Sequence, residues 1–201
     1  MRGQPVLVGM LASVLIAACE IQPLEQTAGS QLAESNLLPE RFGFGREATP
    51  AEVQAADTDV APDGVGLPPG SATVAEGSEV YGRLCAACHG ATGIEGPNNV
   101  LVGREPREGF PFGQSPRYRR TVGNYWPYAT TLYDYVARAM PHTSPGSMSA
   151  EEVYGVVAYL LYRNEIVPEE AVMDAEALLA VVMPAQDRFV PDNRTGGPVI
   201  R

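Results

Sequence analysis

The chain has 201 residues, of which 45% are apolar and 19% charged, with 21 glycines and 18 prolines, which suits one modest globular domain with extensions and excludes a collagen-like or wholly disordered chain. All 14 basic residues are arginines, and 24 acidic residues bring the formal net charge to −10, so the chain lacks the positive charge that nucleic-acid binding needs. The one strongly apolar stretch, residues 6–18, is too short for a stable membrane span, which excludes a polytopic membrane protein.

The first 19 residues have the pattern of a bacterial export signal. Arg2 precedes an apolar run at residues 6–16, and the run ends in small residues before Cys19. The order Ile16-Ala-Ala-Cys19 resembles the lipobox of bacterial lipoproteins, in which this cysteine is acylated. It predicts a lipid anchor at Cys19 and a position on the periplasmic side of a bacterial membrane. The alternative is an ordinary signal peptide and a soluble periplasmic protein.

Charge divides the rest of the chain into three parts. Residues 20–72 form an acidic arm, residues 73–166 a nearly neutral domain, and residues 167–201 an acidic tail. We expect the arm to be flexible to about residue 40 and then to pack on the domain. Within it, Thr49-Pro50 predicts a short helix, and turns are predicted at residues 62–64 and 67–70.

Three helices are predicted in the domain. Thr73-Val-Ala-Glu76 is a capping box that opens a helix toward Cys88, and residues 130–140 have an apolar face and end before Pro141. Ser149-Ala-Glu-Glu152 is a second capping box, which opens an amphipathic helix. Between the first two helices runs a long connection rich in Gly and Pro, from residue 90 to residue 128. A connection of that length in a small domain needs something to wrap around.

The motif Cys85-Ala-Ala-Cys88-His89 indicates that the group around which this connection wraps is a haem. Two cysteines three positions apart lie on one side of a helix, so both thiols reach the vinyl groups of one haem, and the following histidine lies beneath the iron. A zinc or thiol-redox site is the alternative reading. Zinc needs further Cys or His ligands, and the one other histidine is His142. The motif therefore predicts one covalently attached haem c.

The residues after the motif resemble class I cytochromes c, notably Gly96-Pro97-Asn98 and Leu101-Val-Gly-Arg104. The resemblance implies an all-α fold of three core helices around the haem, with an extended N-terminal arm and a C-terminal tail. It also implies that the Pro97 carbonyl accepts a hydrogen bond from His89 Nδ1. Arg104 and Trp126 are implied as donors to the haem propionates; the alternatives are a surface ion and a core aromatic.

The same resemblance implies that Met140, in Met140-Pro141, is the sixth iron ligand. Met148, His142 and Met183 are the remaining candidates: Met148 occupies a position typical of a core residue, while Met183, like Met173, follows the last core helix. Ligation by histidine and methionine fills both axial positions and raises the potential, which suits electron transfer rather than catalysis.

Longer blocks resemble the cytochrome c subunit of bacterial sulfite and sulfane dehydrogenases, over about residues 41–194. The most specific block is Thr121-Val-Gly-Asn-Tyr-Trp126-Pro-Tyr-Ala-Thr-Thr131. The resemblance implies a molybdenum enzyme as partner, which oxidises a sulfur compound by two electrons and passes them singly to the cytochrome, and a downstream cytochrome c or oxidase. The alternative is a free-standing, membrane-anchored cytochrome that carries electrons between a respiratory complex and an oxidase.

Positive charge is concentrated in the long connection. We expect part of it, with Tyr125 and Trp126, to lie at the haem edge and to help dock the dehydrogenase. The alternative role is neutralisation of the propionates, Glu105 and Glu108. The arginines concerned are Arg104, Arg107, Arg117, Arg119 and Arg120.

Overall fold

The computed structural model of the chain describes residues 43–112, 114–190, 193 and 195. The predicted export signal, Cys19 and the first half of the arm lie outside these residues. The chain divides into two compact units, residues 1–47 and residues 48–201. The second unit contains every helix and strand described below. Within the described part, no helix is both long and apolar enough to cross a bilayer.

The domain is mainly helical, as predicted, with one small antiparallel ribbon that the sequence patterns did not reveal. The elements in chain order are α1 (Pro50–Ala56), β1 (Ser71–Thr73), α2 (Val74–Leu84), α3 (Ala86–His89), α4 (Val122–Tyr125), α5 (Ala129–Ala139), α6 (Ala150–Arg163), β2 (Val172–Asp174), α7 (Ala175–Leu179) and a 3₁₀ turn at Gln186–Arg188.

Capping boxes set the starts of the helices. The predicted boxes of Thr73 and Ser149 form at the beginning of α2 and α6, and Thr49 begins α1 in the same way. A further box, between Thr121 and Asn124, begins α4. Each box satisfies backbone N–H groups that the first turn of a helix leaves without partners. These starts are therefore encoded locally.

Helices α2 and α6 cross in direct backbone contact at two glycines. A Cβ on Gly77 would overlap the carbonyl oxygen of Gly155, and a Cβ on Gly155 would lie 3.0 Å from Gly77 Cα. The largest fully buried side chains of the domain include Tyr81 on α2 and Tyr154 and Leu161 on α6. The crossing places the end of α2, and the cysteine motif that follows it, against the domain core.

The tail is part of the domain. β2 pairs with β1, with Ser71 opposite Asp174 and Thr73 opposite Val172. Met173 and Met183 are each 2% exposed and Leu178 is 1% exposed, so the tail contributes three side chains to the core cluster. Residues 172–183 of the predicted tail therefore pack with the domain.

The arm joins the domain later than predicted. Residues 48–59, including all of α1, are exposed. Val60 is buried, and its N–H donates to Asp134 Oδ1 at 2.8 Å. Beyond it, the Pro62 carbonyl accepts from the Thr130 hydroxyl and the Pro68 carbonyl from the Tyr154 hydroxyl. The arm packs from Val60 onward because its own carbonyl and amide groups find partners on α5 and α6.

Candidate haem site

A cavity of about 810 Å³ opens among the ends of α2, α3, α5 and α6 and the long connection. This volume falls in the range of cofactor pockets, about 300–1,000 Å³. Six of the seven predicted haem-binding residues line it together, and Arg104 does not: the six are Cys85, Cys88, His89, Pro97, Trp126 and Met140. Most of the wall is apolar, with side chains that include Leu84, Leu101, Val122, Leu132, Val136 and Leu160. An apolar wall beside two thiols and an imidazole fits a haem attached through the cysteines.

The ring of His89 is held by a different carbonyl from the one predicted. Nδ1 lies 2.8 Å from the carbonyl oxygen of Asn99, not of Pro97, although Pro97 does line the cavity. The Asn98 N–H donates to the Cys88 carbonyl, and a Cβ on Gly96 would overlap that same carbonyl oxygen. This close approach carries the loop past Pro97 before a carbonyl faces the imidazole. Because a carbonyl only accepts, Nδ1 carries the proton and Nε2 keeps its lone pair.

Cys85 and Cys88 form no disulfide with each other. Burial raises the pKa of the Cys85 thiol, with a smaller contribution from neighbouring Cys88. In the residues that the structure describes, no three His, Cys, Asp or Glu side chains converge as a metal-binding group. A tetrahedral zinc site needs four such donors, so the zinc alternative lacks a ligand set there.

Among the candidates for the sixth ligand, Met140 and His142 line the cavity. Met140 is the C-terminal cap of α5, and its N–H donates to the Val136 carbonyl, which fixes its backbone at the cavity wall. Met148 instead packs against the hydrophobic core, and Met183 is buried within it. Met140 and His142 are therefore the two candidate ligands that lie at the cavity wall.

The two predicted propionate donors are engaged elsewhere. Arg104 Nη1 donates to the carbonyls of Asn164 and Glu165, both at 3.1 Å, and Arg104 is not among the cavity-lining residues. In this structure it therefore satisfies carbonyls at the end of α6 and lies away from the cavity wall. Trp126 does line the cavity, but its Nε1–H donates to Thr131 Oγ1 at 3.0 Å.

The five arginines that were expected to help dock the dehydrogenase lie in different environments. Arg107 forms ion pairs with Glu105 and Glu165, at 3.3 and 2.9 Å. Of the five arginines proposed for docking, only Arg119 and Arg120 line the cavity. In the sequence, Arg119 and Arg120 directly precede Thr121, whose capping box with Asn124 begins α4 next to the cavity.

An aromatic cluster beside the cavity was not predicted. Tyr125 is stacked on Phe110 at 5.5 Å, and Phe112 and Phe189 meet its ring edge-on at 5.2 and 5.5 Å. In addition, Arg188 Nη2 donates to the Arg107 carbonyl. The tail thus holds the long connection in place next to the cavity. Because the cluster joins residues far apart in the chain, no local sequence pattern marks it.

Comparisons with known proteins agree with this geometry. The family model described as cytochrome c oxidase, cbb3-type, subunit III, matches residues 72–160. The chain is also similar to a chain in the crystal structure of the sulfane dehydrogenase SoxCD from Paracoccus pantotrophus, with 39% sequence identity, 80% of this chain and 81% of that chain covered, and a TM-score of 0.65. No curated protein matches the chain by sequence. With α2, α5 and α6 as its core helices, the chain belongs to the class I c-type cytochromes, in the family of the cytochrome c subunit of bacterial sulfite and sulfane dehydrogenases.

Proposed function

We propose that the chain is a mono-haem cytochrome c that transfers single electrons as the electron-accepting subunit of a periplasmic molybdenum sulfite or sulfane dehydrogenase. The observation that supports this proposal most directly is the cavity that Cys85, Cys88, His89 and Met140 line together. The similarity to a chain of the sulfane dehydrogenase structure supports the partner.

The residues have separate tasks in this function. Cys85 and Cys88 would attach a haem c covalently through their thiols, and His89 and Met140 would bind its iron. A bound haem c supplies a one-electron iron couple. Asn99 orients the His89 ring, and the apolar wall keeps water from the cavity. If His89 and Met140 both bind the iron, no substrate would have access to it, which would favour electron transfer over catalysis.

A free-standing carrier is the second candidate function. The family match to subunit III of a cbb3-type oxidase supports a function that serves an oxidase, which such a carrier would have. Anchored through Cys19, such a carrier moves electrons between a respiratory complex and an oxidase.

Reduction by the dehydrogenase distinguishes the two. The neighbouring genes are first searched for an exported molybdenum oxidoreductase. The holo-cytochrome is then mixed with that enzyme, and absorbance of the reduced haem is followed after addition of sulfite or a sulfane compound. We expect one haem per chain by the pyridine haemochrome assay, and reduction only when the oxidoreductase is present. Reduction by a respiratory complex, with none by the oxidoreductase, would instead support the free-standing carrier.

A further inference from the structure

Two adjacent arginines line the candidate haem cavity without a carboxylate partner. Arg119 and Arg120 are exposed at its rim, and within the described part of the chain neither lies within ion-pair distance of an acidic side chain. Other arginines of the domain already form ion pairs: Arg107 pairs with Glu105 and Glu165, and Arg138 pairs with Asp134. The positive charge at the rim is therefore available to an anionic group in the cavity.

The backbone that carries this pair is held rigidly. The Thr121 hydroxyl donates to the Gly103 carbonyl, and the Thr121 N–H donates to Asn124 Oδ1 at 2.8 Å. Asn124 Nδ2 donates in turn to the Arg119 carbonyl at 2.9 Å. Thr121 and Asn124 are both buried. A fixed backbone lowers the entropy lost when the arginines bind a ligand.

One of the two guanidinium groups is also oriented. The Arg120 guanidinium carbon lies 4.7 Å from the centre of the Tyr125 ring, within the range of a cation–π contact. Tyr125 is itself held by the rings of Phe110, Phe112 and Phe189. A planar guanidinium held in this way presents its N–H donors in the fork that suits a carboxylate.

Resting on the proposed function, which puts a haem in this cavity, we propose that Arg119 and Arg120 bind the haem propionates, the role that the family resemblance assigned to Arg104 and Trp126. Haem carries two propionate carboxylates, and a charge-assisted arginine–carboxylate contact is the strongest neutral-pH interaction that this rim offers. Arg104 is engaged at the end of α6, and the Trp126 N–H is engaged by Thr131.

The test compares charge-removing and charge-keeping variants of the holoprotein. Arg119→Gln and Arg120→Gln remove the charge, whereas Arg119→Lys and Arg120→Lys keep it. Arg117→Gln is the matched control, because Arg117 lies on the same connection, over the Tyr118 ring, and does not line the cavity. The readouts are the propionate-bending bands in the resonance Raman spectrum and the midpoint potential.

We expect both glutamine variants to shift the propionate bands and to lower the potential, because removing a nearby positive charge favours the ferric state. The lysine variants should restore the potential toward that of the wild type, and Arg117→Gln should leave both readouts unchanged. Wild-type bands and potential in the glutamine variants would overturn the assignment. The same wild-type bands, combined with slower reduction by the dehydrogenase, would overturn it in favour of a partner-docking role. A wild-type protein without covalent haem would overturn the proposed function as well, and the pyridine haemochrome assay distinguishes that case.

Discussion

Met140 is the residue on which the proposed ligand set depends. It and His142 line the cavity, whereas Met148 packs against the core. Met140→Ala should open the sixth coordination position, so the ferric holoprotein should lose the near-infrared band of methionine ligation and the ferrous form should bind carbon monoxide. Optical spectroscopy and carbon monoxide titration measure these changes.

Met148→Ala is the matched control for that prediction. It removes a methionine of equal size from a site outside the cavity wall, so it should leave the spectrum unchanged and cost some stability, about 2 kcal/mol for a partly buried methionine. If the spectrum changes only in a His142 variant, then histidine and not Met140 is the sixth ligand.

Among the contacts between helices, the crossing of α2 and α6 leaves no space for a side chain larger than glycine at residue 77. An added Cβ at Gly77 meets the Gly155 backbone, and backbone moves only when the two helices separate. Gly77→Ala should therefore lower the free energy of unfolding by more than about 3 kcal/mol. Urea denaturation of the holoprotein measures the change.

Gly82 provides the control on the same helix. A Cβ there meets no atom within 4 Å. Gly82→Ala should therefore be neutral, or stabilise the protein by about 0.5–1 kcal/mol, because alanine restricts the unfolded chain. Equal effects at the two positions would show that helix propensity, and not the crossing, determines the cost.

The tail holds the long connection through the ring of Phe189. Phe189 contacts Phe110 at 5.3 Å and Tyr125 at 5.5 Å, and it is 37% exposed. Phe189→Ala should lower the free energy of unfolding by about 1–2 kcal/mol through the lost aromatic contacts. Its neighbour Val190 is 89% exposed, so Val190→Ala should have no measurable effect in the same urea titration.

For the molecule as a whole, Asp134 ties the arm to the domain. Burial raises the pKa of its carboxyl, but hydrogen bonds from Arg138 and Val60 outweigh that effect and hold the pKa below its ordinary value of 3.8. A carboxyl with a lower pKa when folded stabilises the fold above its unfolded pKa, and this contribution is lost as the pH falls. Attachment of the arm should therefore weaken below about pH 4.

Hydrogen exchange at residues 60–66 checks this attachment. Asp134→Ala should speed exchange about tenfold at neutral pH, equivalent to about 1.4 kcal/mol. Glu79→Ala, at an exposed position on α2 whose carboxylate forms no ion pair with any described residue, is the control and should leave exchange unchanged. Protection that survives Asp134→Ala would mean that the contacts of Pro62 and Pro68 are sufficient.

The predicted location of the whole protein rests on acylation of Cys19. If this cysteine is acylated, Cys19→Ser should release the holo-cytochrome from the membrane into the soluble periplasmic fraction. The visible spectrum should not change, because the haem cavity is built from residues beyond 80. Cell fractionation followed by spectroscopy measures both properties. A wild-type protein already found in the soluble fraction would contradict acylation.

The sequence by itself determined the features that depend on neighbouring residues. Capping boxes at Thr73 and Ser149 predicted where α2 and α6 begin, because each box is complete within four residues. The motif from Cys85 to His89 predicted the haem, since its spacing already sets the geometry on one helical turn. Specific blocks such as the one around Trp126 predicted the family that the structural comparison confirms.

Tertiary structure alone decided which distant groups meet. Asn99 rather than Pro97 faces His89 because Gly96 lets the loop pass close to Cys88, and Arg104 turns to the end of α6 because open carbonyls lie there. In the same way, β2 reaches β1 and Phe189 reaches Tyr125 across the fold. Such contacts depend on the path of the whole backbone, whereas local patterns encode only the conformation of the residues that form them.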